Sequence, residues 1–196
     1  MFIAANAFFG HKDRSGQDYV LHLLAIFDST KSNLKRAVGL LHDLIEDTPW
    51  TLQDLRDVRL PEIVVQGVDY VSKRQNELYF DFVERCGTSV KVFDDKEKYV
   101  AIDVKLSDLE HNMDVSRQTA LLDQRYIEKL DVYIISHNYL VAIKREEIPP
   151  GTPMAKFMSF HPRLNRPDLL QLHSSGRQVA NDFFSGGQQL LQLNAV

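Results

Sequence analysis

The chain has 196 residues, of which 44% are hydrophobic and 26% charged, and its net charge is −4 at neutral pH. This composition indicates a globular protein with a sizeable core, and the mild acidic balance argues against a general nucleic-acid binder. The single cysteine, Cys86, excludes an intrachain disulfide, and no apolar run reaches the roughly 20 residues that span a bilayer. We therefore expect a cytoplasmic protein without a membrane partner.

Hydrophobic periodicity predicts a helical chain. Asn33 is a candidate N-cap, Thr51 and Asp54 form a capping-box pattern, and Pro61 suits the first position of a helix. Residues 99–106 alternate between apolar and polar, which is a strand period, but the longer run to residue 113 favours a helix. Helices are predicted over residues 1–9, 19–27, 33–47, from 51 onwards, 61–71, 77–85, 99–113 and 120–142.

A proline-rich stretch, Pro149 to Pro153, indicates a linker. It divides the chain into a helix-rich domain, residues 1–146, and a C-terminal extension, residues 147–196. The extension has a less regular pattern, in which residues 179–184 and 188–193 are predicted as short helices. We expect it to pack back on the domain or on a second subunit, so that a homo-oligomer is one of two alternatives.

The segment from His42 to Asp47, with the sequence HDLIED, carries four ionisable side chains inside an apolar stretch. On a helix, His42, Asp43, Glu46 and Asp47 fall on one side, opposite an apolar stripe. Pro49 ends this helix, so Glu46 and Asp47 lie in its last turn, where the helix dipole disfavours acids. The pattern therefore indicates a metal ion, a basic ligand-binding wall, or both.

Further side chains of the metal-ligand type lie elsewhere in the chain, at His22 and Asp108. Together with His42 and Asp43 they make a set of two imidazoles and two carboxylates, which suits Mn²⁺, Fe²⁺ or Zn²⁺ better than Ca²⁺. Taken singly, each has a plainer interpretation: His22 as a hydrogen-bonded histidine near a helix start, and Asp108 as a solvated acid.

Two further groups of side chains have plain interpretations. Lys73 and Arg74 are most simply a surface loop. The remaining histidines near or after Asp108 are interpreted as surface or core residues, because a site for one metal does not need them: His111, His137, His161 and His173.

Three motifs together resemble the hydrolase domain of the RelA/SpoT alarmone enzymes, within the HD-domain metal-dependent phosphohydrolases. They are DRSGQDYVLH at residues 13–22, LLHDLIEDT at 40–48 and VKLSDLEHNM at 104–113. They follow the family's order, and the resemblance covers about residues 1–142. It implies an all-α HD-domain helical bundle, with an irregular C-terminal extension, that holds one Mn²⁺ or another divalent transition metal.

The resemblance also implies the role of individual residues and a substrate. It implies that the metal ligands are His22, His42, Asp43 and Asp108. It makes Glu46 and Asp47 the pair that orients and deprotonates the attacking water. It implies that the substrate-binding residues are Arg14, Tyr19, Lys105 and Asn112. The implied reaction removes the 3′-pyrophosphate from guanosine tetra- or pentaphosphate, a small-molecule nucleotide.

The chain departs from the family pattern at several positions. Leu23 stands where the family usually has proline after the first ligand, and Asp13 stands where a second basic residue often precedes Arg14. Ala7–Phe8 replaces an Ala-His pair. The synthetase domain of the long enzymes has no counterpart here, so the expected activity is hydrolysis only. Two other functions stay open: phosphohydrolysis of another nucleotide, and non-catalytic nucleotide binding.

Overall fold

The structure, a computed structural model, describes residues 1–13, 15–30, 32–117 and 124–174. Within these ranges the chain forms α-helices joined by loops and short 3₁₀ turns and contains no strand, so the all-α prediction is confirmed. The helices are α1 (Phe2–Ala7), α2 (Tyr19–Asp28), α3 (Asn33–Leu41), α4 (Leu44–Asp47), α5 (Leu52–Asp57), α6 (Glu62–Val71), α7 (Tyr79–Thr88), α8 (Val100–Met113), α9 (Gln124–Lys144), α10 (Met154–Ser159) and α11 (Pro167–Ser174).

The predicted single helix over residues 33–47 is wrong, because the chain breaks between α3 and α4. Asp43 leaves the helical conformation, with φ −98° and ψ 0°. The hydroxyl of Ser72 donates to the carbonyl of His42 at 3.0 Å, so that this carbonyl has a partner outside the helix. The break turns Asp43 away from the course of a continuous helix.

Two capping predictions have opposite outcomes. The capping box at Thr51 is confirmed: its hydroxyl accepts from the amide of Asp54 at 3.2 Å, and its amide donates to the Asp54 carboxylate at 2.7 Å. Asn33 as an N-cap is wrong, because Ser32 is the N-cap of α3 and its side chain accepts from the amide of Lys35. The Ser32 hydroxyl also donates to Glu97, a partner that sequence spacing does not reveal.

Helix α8 lies between two apolar cores that the described residues form. Its Val100, Ala101 and Val104 belong to the core formed mainly by α1 to α6. On its other side, residues such as Ile102 and Leu109 belong to the core formed with α7, α9, α10 and α11. Because α8 packs on both sides, its apolar residues are not confined to one face, which explains why its sequence imitates a strand period.

The described part of the C-terminal extension packs back on the domain. Met154, Phe157, Met158 and Leu169 are buried in the core that contains α7 and α9. The hydroxyl of Tyr139 donates to the carbonyl of Thr152 at 2.7 Å and fixes the start of the extension. The boundary between residues 146 and 147 stays a prediction, and the helices predicted at 179–184 and 188–193 lie outside the described residues.

None of the helices in the described ranges is both long enough and apolar enough to cross a lipid bilayer.

The close approach of α3 and α6 gives a first testable prediction. A Cβ added at Gly67 would lie 2.5 Å from a methyl group of the fully buried Val38, one turn before His42. Overpacking costs about 1–3 kcal/mol, against about 1 kcal/mol gained from the higher helix propensity of alanine. Because 2.5 Å is far inside van der Waals contact, the cost lies in the upper part of this range. We therefore expect Gly67→Ala to lower the free energy of unfolding by about 1–2 kcal/mol in urea denaturation.

The matched control is Gln66→Ala, at an exposed position of the same helix. This variant should change the unfolding free energy by less than about 0.5 kcal/mol. A Gly67→Ala variant as stable as the wild type would show that α3 and α6 are not in close contact here.

Candidate functional site

Four predicted metal ligands, from three separate segments of the sequence, meet at one point of the bundle. His22 comes from the first turn of α2, His42 and Asp43 from the break between α3 and α4, and Asp108 from α8. The Nε2 atoms of His22 and His42 are 3.3 Å apart. Asp108 Oδ1 lies 3.4 Å from His22 Nε2 and 3.6 Å from His42 Nε2. Asp43 Oδ2 lies 2.7 Å from His42 Nε2 and 3.6 Å from His22 Nε2.

These separations suit a single divalent ion. Two ligand atoms that each lie about 2.1 Å from one ion, at right angles, are about 3.0 Å apart. The donor atoms of His22, His42 and Asp43 all lie within 4.8 Å of one another, and this cluster could bind a metal. Imidazole nitrogens with carboxylate oxygens favour a transition metal over calcium.

Neighbouring groups keep both carboxylates ionised despite their burial. Burial alone would raise the pKa of Asp108, but the Lys105 ammonium and the two histidines outweigh it and hold that pKa well below its usual range. Burial also opposes ionisation of Asp43, and His42 and His22 lower its pKa nevertheless. Both carboxylates are therefore ionised at neutral pH, as oxygen ligands of a cation must be.

Glu46 and Asp47 lie directly beside this cluster, on the single turn of α4. The backbone amide of Lys73 donates to Glu46 Oε1 at 2.7 Å and holds the carboxyl in place. Burial and the nearby Asp43 raise the pKa of Glu46 to about 7, although Lys105 and the Lys73 amide act in the opposite direction. Such a carboxyl can take up and release a proton near neutral pH.

A pocket opens above the cluster and the two acids. Its wall combines cationic groups, which can neutralise phosphate, with aromatic rings, which can flank a planar base. The cationic residues are Lys12, Lys73, Lys105 and Arg117, and the aromatic residues are Tyr19, Tyr79, Phe82, Tyr126 and Tyr133.

Comparison with known proteins supports the fold. No family model and no curated protein matches the sequence. A solved structure, that of a metazoan ortholog of SpoT that hydrolyses ppGpp and plays a role in starvation responses, matches with a TM-score of 0.55 and 18% sequence identity. The match covers 84% of this chain and 93% of that chain. The two proteins share a fold. This chain thus has the all-α bundle expected of an HD domain.

In this bundle, three of the predicted substrate-binding residues contact the cluster of predicted metal ligands itself. Lys105 Nζ donates to Asp108 Oδ2 at 2.7 Å, and Asn112 Nδ2 donates to Asp108 Oδ1 at 2.6 Å. The Tyr19 hydroxyl donates to Asp43, and its ring stacks on Phe8 with centroids 4.8 Å apart. All three also line the pocket. Arg14 lies outside the described residues.

Phe8 and Leu23, two departures from the family's sequence pattern, have structural roles in this bundle. Phe8 is buried and supports the ring of Tyr19. Leu23 follows His22 inside α2 and is fully buried. Since the residue after His22 lies within the helix and fills the core, Leu23 is compatible with the placement of His22.

The sequence did not predict that His111 and Arg117 belong to the site. Interpreting His111 as an ordinary surface or core histidine is wrong, because its Nδ1 lies 2.7 Å from Nδ1 of His22. Arg117 Nη1 lies 2.8 Å from Nδ1 of His111, and Arg117 Nη2 donates to Asp13. Burial, His22 and Arg117 lower the pKa of His111 to about 4. The i+3 spacing of His111 from Asp108 was the available signal.

Residues 72–78, the loop between α6 and α7, hold the site from the other side. Arg85 of α7 donates to both carboxylate oxygens of Glu77, at 2.6 and 2.8 Å, and to the carbonyls of Asp69 and Ser72. The interpretation of Arg74 as part of a surface loop agrees with its exposure. For Lys73 it is incomplete, since this residue contacts Glu46 and lines the pocket.

The ligand set gives a second prediction. Asp108→Ala removes a buried oxygen donor from the cluster, so purified protein should lose its bound divalent metal in elemental analysis, whereas Glu46→Gln should retain it. The control is Glu110→Ala, which removes an exposed acid from the same helix, where the carboxylate contacts His137 instead. Unchanged metal content in Asp108→Ala would show that the ligand set is wrong.

The Arg85–Glu77 ion pair gives a pH prediction. Although burial opposes ionisation, the hydrogen bonds from Arg85 lower the pKa of Glu77 below its ordinary value of 4.5. The pair therefore adds stability above this value, and the contribution is lost as the pH falls through the lower, folded-state pKa. Between about pH 5 and about pH 3, the thermal midpoint of the wild type should fall more steeply than that of Glu77→Gln.

If the thermal midpoints of the wild type and Glu77→Gln fell equally steeply with pH, the stabilising role of the Arg85–Glu77 pair would be contradicted. Glu62→Gln is the control, because Glu62 forms an exposed ion pair with Arg56 and contributes little.

Proposed function

We propose that this protein is a metal-dependent phosphohydrolase that removes the 3′-pyrophosphate from guanosine 3′,5′-bis(diphosphate) and its pentaphosphate relative. One observation carries the proposal: the four metal-type donors lie directly beside Glu46 and Asp47, on the floor of a pocket with cationic walls. The fold shared with a metazoan protein that hydrolyses ppGpp supports the choice of substrate. The cytoplasmic location expected from the sequence is part of this proposal.

His22, His42, Asp43 and Asp108 would hold the ion, with Mn²⁺ as the expected metal and another divalent transition metal as the alternative. Such an ion supplies Lewis acidity to a phosphoryl oxygen and lowers the pKa of water. The imidazole of His42 is oriented for this role, because its Nδ1 contacts the carbonyl of Gly39 at 2.8 Å and its Nε2 faces the other donors.

Glu46 and Asp47 handle the attacking water. Glu46 accepts the proton as the water oxygen bonds to the phosphorus carried by the 3′-oxygen of the ribose. The bond between this phosphorus and the 3′-oxygen breaks, the 3′-oxygen takes up a proton from solvent to become a hydroxyl group, and Glu46 returns its proton to solvent. The products are guanosine diphosphate and pyrophosphate. Asp47, next in the chain, orients the water.

The pocket wall binds the substrate. Lys105 and Asn112 reach the phosphates from α8, Tyr19 flanks the nucleotide, and Arg14 supplies a further phosphate contact. Positive charge is required here because the 3′-pyrophosphate group that the water attacks carries several negative charges. Lys12, Lys73 and Arg117 add to that charge from the pocket's rim.

The third prediction tests the reaction itself. Protein loaded with Mn²⁺ and incubated with guanosine tetraphosphate should release guanosine diphosphate and pyrophosphate, measured by ion-exchange chromatography. Glu46→Gln should keep the metal and lose about 10²–10⁴-fold in turnover, because the proton acceptor is removed. Glu110→Gln, an exposed acid of α8, is the control and should turn over at the wild-type rate.

Two outcomes would contradict the proposal in different ways. Orthophosphate released from a panel of other nucleotides, without turnover of the tetraphosphate, would identify an HD phosphohydrolase with a different substrate. Nucleotide binding without turnover in any arm of the panel would identify a non-catalytic nucleotide-binding module.

A further inference from the structure

Three residues outside the predicted metal-ligand set form a chain of contacts that ends on His22. Nδ1 of His111 lies 2.7 Å from Nδ1 of His22 and 2.8 Å from Nη1 of Arg117. The same Arg117 nitrogen donates to the backbone carbonyl of His111 at 3.1 Å. Arg117 Nη2 donates to Asp13 Oδ2 at 2.6 Å, across 104 residues of sequence. The guanidinium is therefore held at both ends.

Asp13 is shaped to hold this arginine. Its Oδ1 accepts from the amide and hydroxyl of Ser15, at 2.9 and 2.7 Å, and from the amide of Gln17 at 2.9 Å. These bonds orient the carboxylate and direct Oδ2 towards Arg117. The side chains of Asp13 and Arg117 are 11% and 18% exposed, so the ion pair is largely shielded from water.

The contacts determine which nitrogen of each imidazole carries a proton. A guanidinium has only donors, so Nδ1 of His111 must accept from Arg117, and the proton of neutral His111 lies on Nε2. Two nitrogens 2.7 Å apart repel each other unless one donates to the other. Since Nδ1 of His111 is an acceptor, Nδ1 of His22 must be the donor.

A proton on Nδ1 of His22 leaves the lone pair on Nε2, the atom that faces Asp43, Asp108 and His42. Only an unprotonated nitrogen can bind a metal. His42 reaches the same tautomer through the carbonyl of Gly39, one turn back in α3. The two histidines thus obtain their orientation from different partners, a backbone carbonyl in one case and a neutral imidazole in the other.

We propose that Arg117 and His111 are positioning residues that hold His22 in its metal-binding tautomer, with Asp13 as the anchor of Arg117. This inference rests on the metal site of the proposed function, but not on the identity of the substrate. It also gives a structural role to Asp13, at a position where the RelA/SpoT hydrolase domains that this sequence resembles often have a basic residue. Neither His111 nor Arg117 needs to touch the ion.

The tautomers can be measured directly, without metal or nucleotide. At a pH high enough that both imidazoles are neutral, long-range ¹H–¹⁵N correlation spectra of metal-free protein should show His22 protonated on Nδ1 and His111 protonated on Nε2. In Arg117→Met the His111 signals should shift towards a mixture of tautomers. Wild-type His22 protonated on Nε2 would overturn the inference.

Metal affinity provides the second test, with Mn²⁺ titrated into metal-free protein and free Mn²⁺ followed by electron paramagnetic resonance. Arg117→Met and His111→Phe should each weaken binding by about 10-fold or more, the usual effect of removing a group that orients a metal ligand. His111→Gln restores an acceptor for both donors, so its affinity should stay within about threefold of the wild type.

Arg56→Met is the matched control, because it removes an exposed arginine that pairs with Glu62, away from the pocket. Its affinity should equal that of the wild type. Unchanged affinity in both Arg117→Met and His111→Phe would overturn the inference, as would equal losses in His111→Phe and His111→Gln. Protein that binds Mn²⁺ with the expected pattern but does not hydrolyse the alarmone would contradict the proposed substrate and support this inference.

Discussion

The arrangement of the protein depends on a carboxylate buried in the middle of a helix. Asp108 belongs to α8, which is packed between two apolar cores, and it is 4% exposed. An isolated charge at such a position is very costly, so it requires partners. Lys105 and Asn112 supply two hydrogen bonds from the same helix, and His22 and His42 approach from two others. The need to balance this one charge brings α2, α3 and α8 together.

The break between α3 and α4 divides the acidic segment into two functions. A continuous helix would place His42, Asp43, Glu46 and Asp47 on one side, as the sequence pattern suggests. Instead, Asp43 leaves the helix and turns to the metal-ligand cluster, while Glu46 begins a new contact with the Lys73 amide. The single turn of α4 is short, and the Lys73 amide stabilises an acid that the end of a helix disfavours. The groups proposed to bind the ion and to handle the proton are thereby separated by one turn.

Local sequence signals predicted the helices and the capping box at Thr51, because propensity and capping act over a few residues. Four residues that meet at one point, His22, His42, Asp43 and Asp108, were named from motif resemblance, and their distances come from the structure. What the sequence did not show are contacts between distant segments. Asp13 finds Arg117 across 104 residues, and Ser72 supplies the hydroxyl that caps the carbonyl of His42. No local rule contains such pairs, since they exist only after the bundle has packed.

The floor and the wall of the pocket carry different information about substrate. A set of two imidazoles, two carboxylates and a neighbouring acid suits hydrolysis of many phosphate esters, because it acts on phosphorus and water alone. Selection of one nucleotide requires groups further out, where charge and aromatic surface meet the rest of the molecule. In this protein Lys73 belongs to both regions, since its amide holds Glu46 while the residue itself lines the pocket. A substrate that displaces the loop around Lys73 would therefore also move Glu46, the proposed proton acceptor, so that one backbone hydrogen bond would couple binding to chemistry.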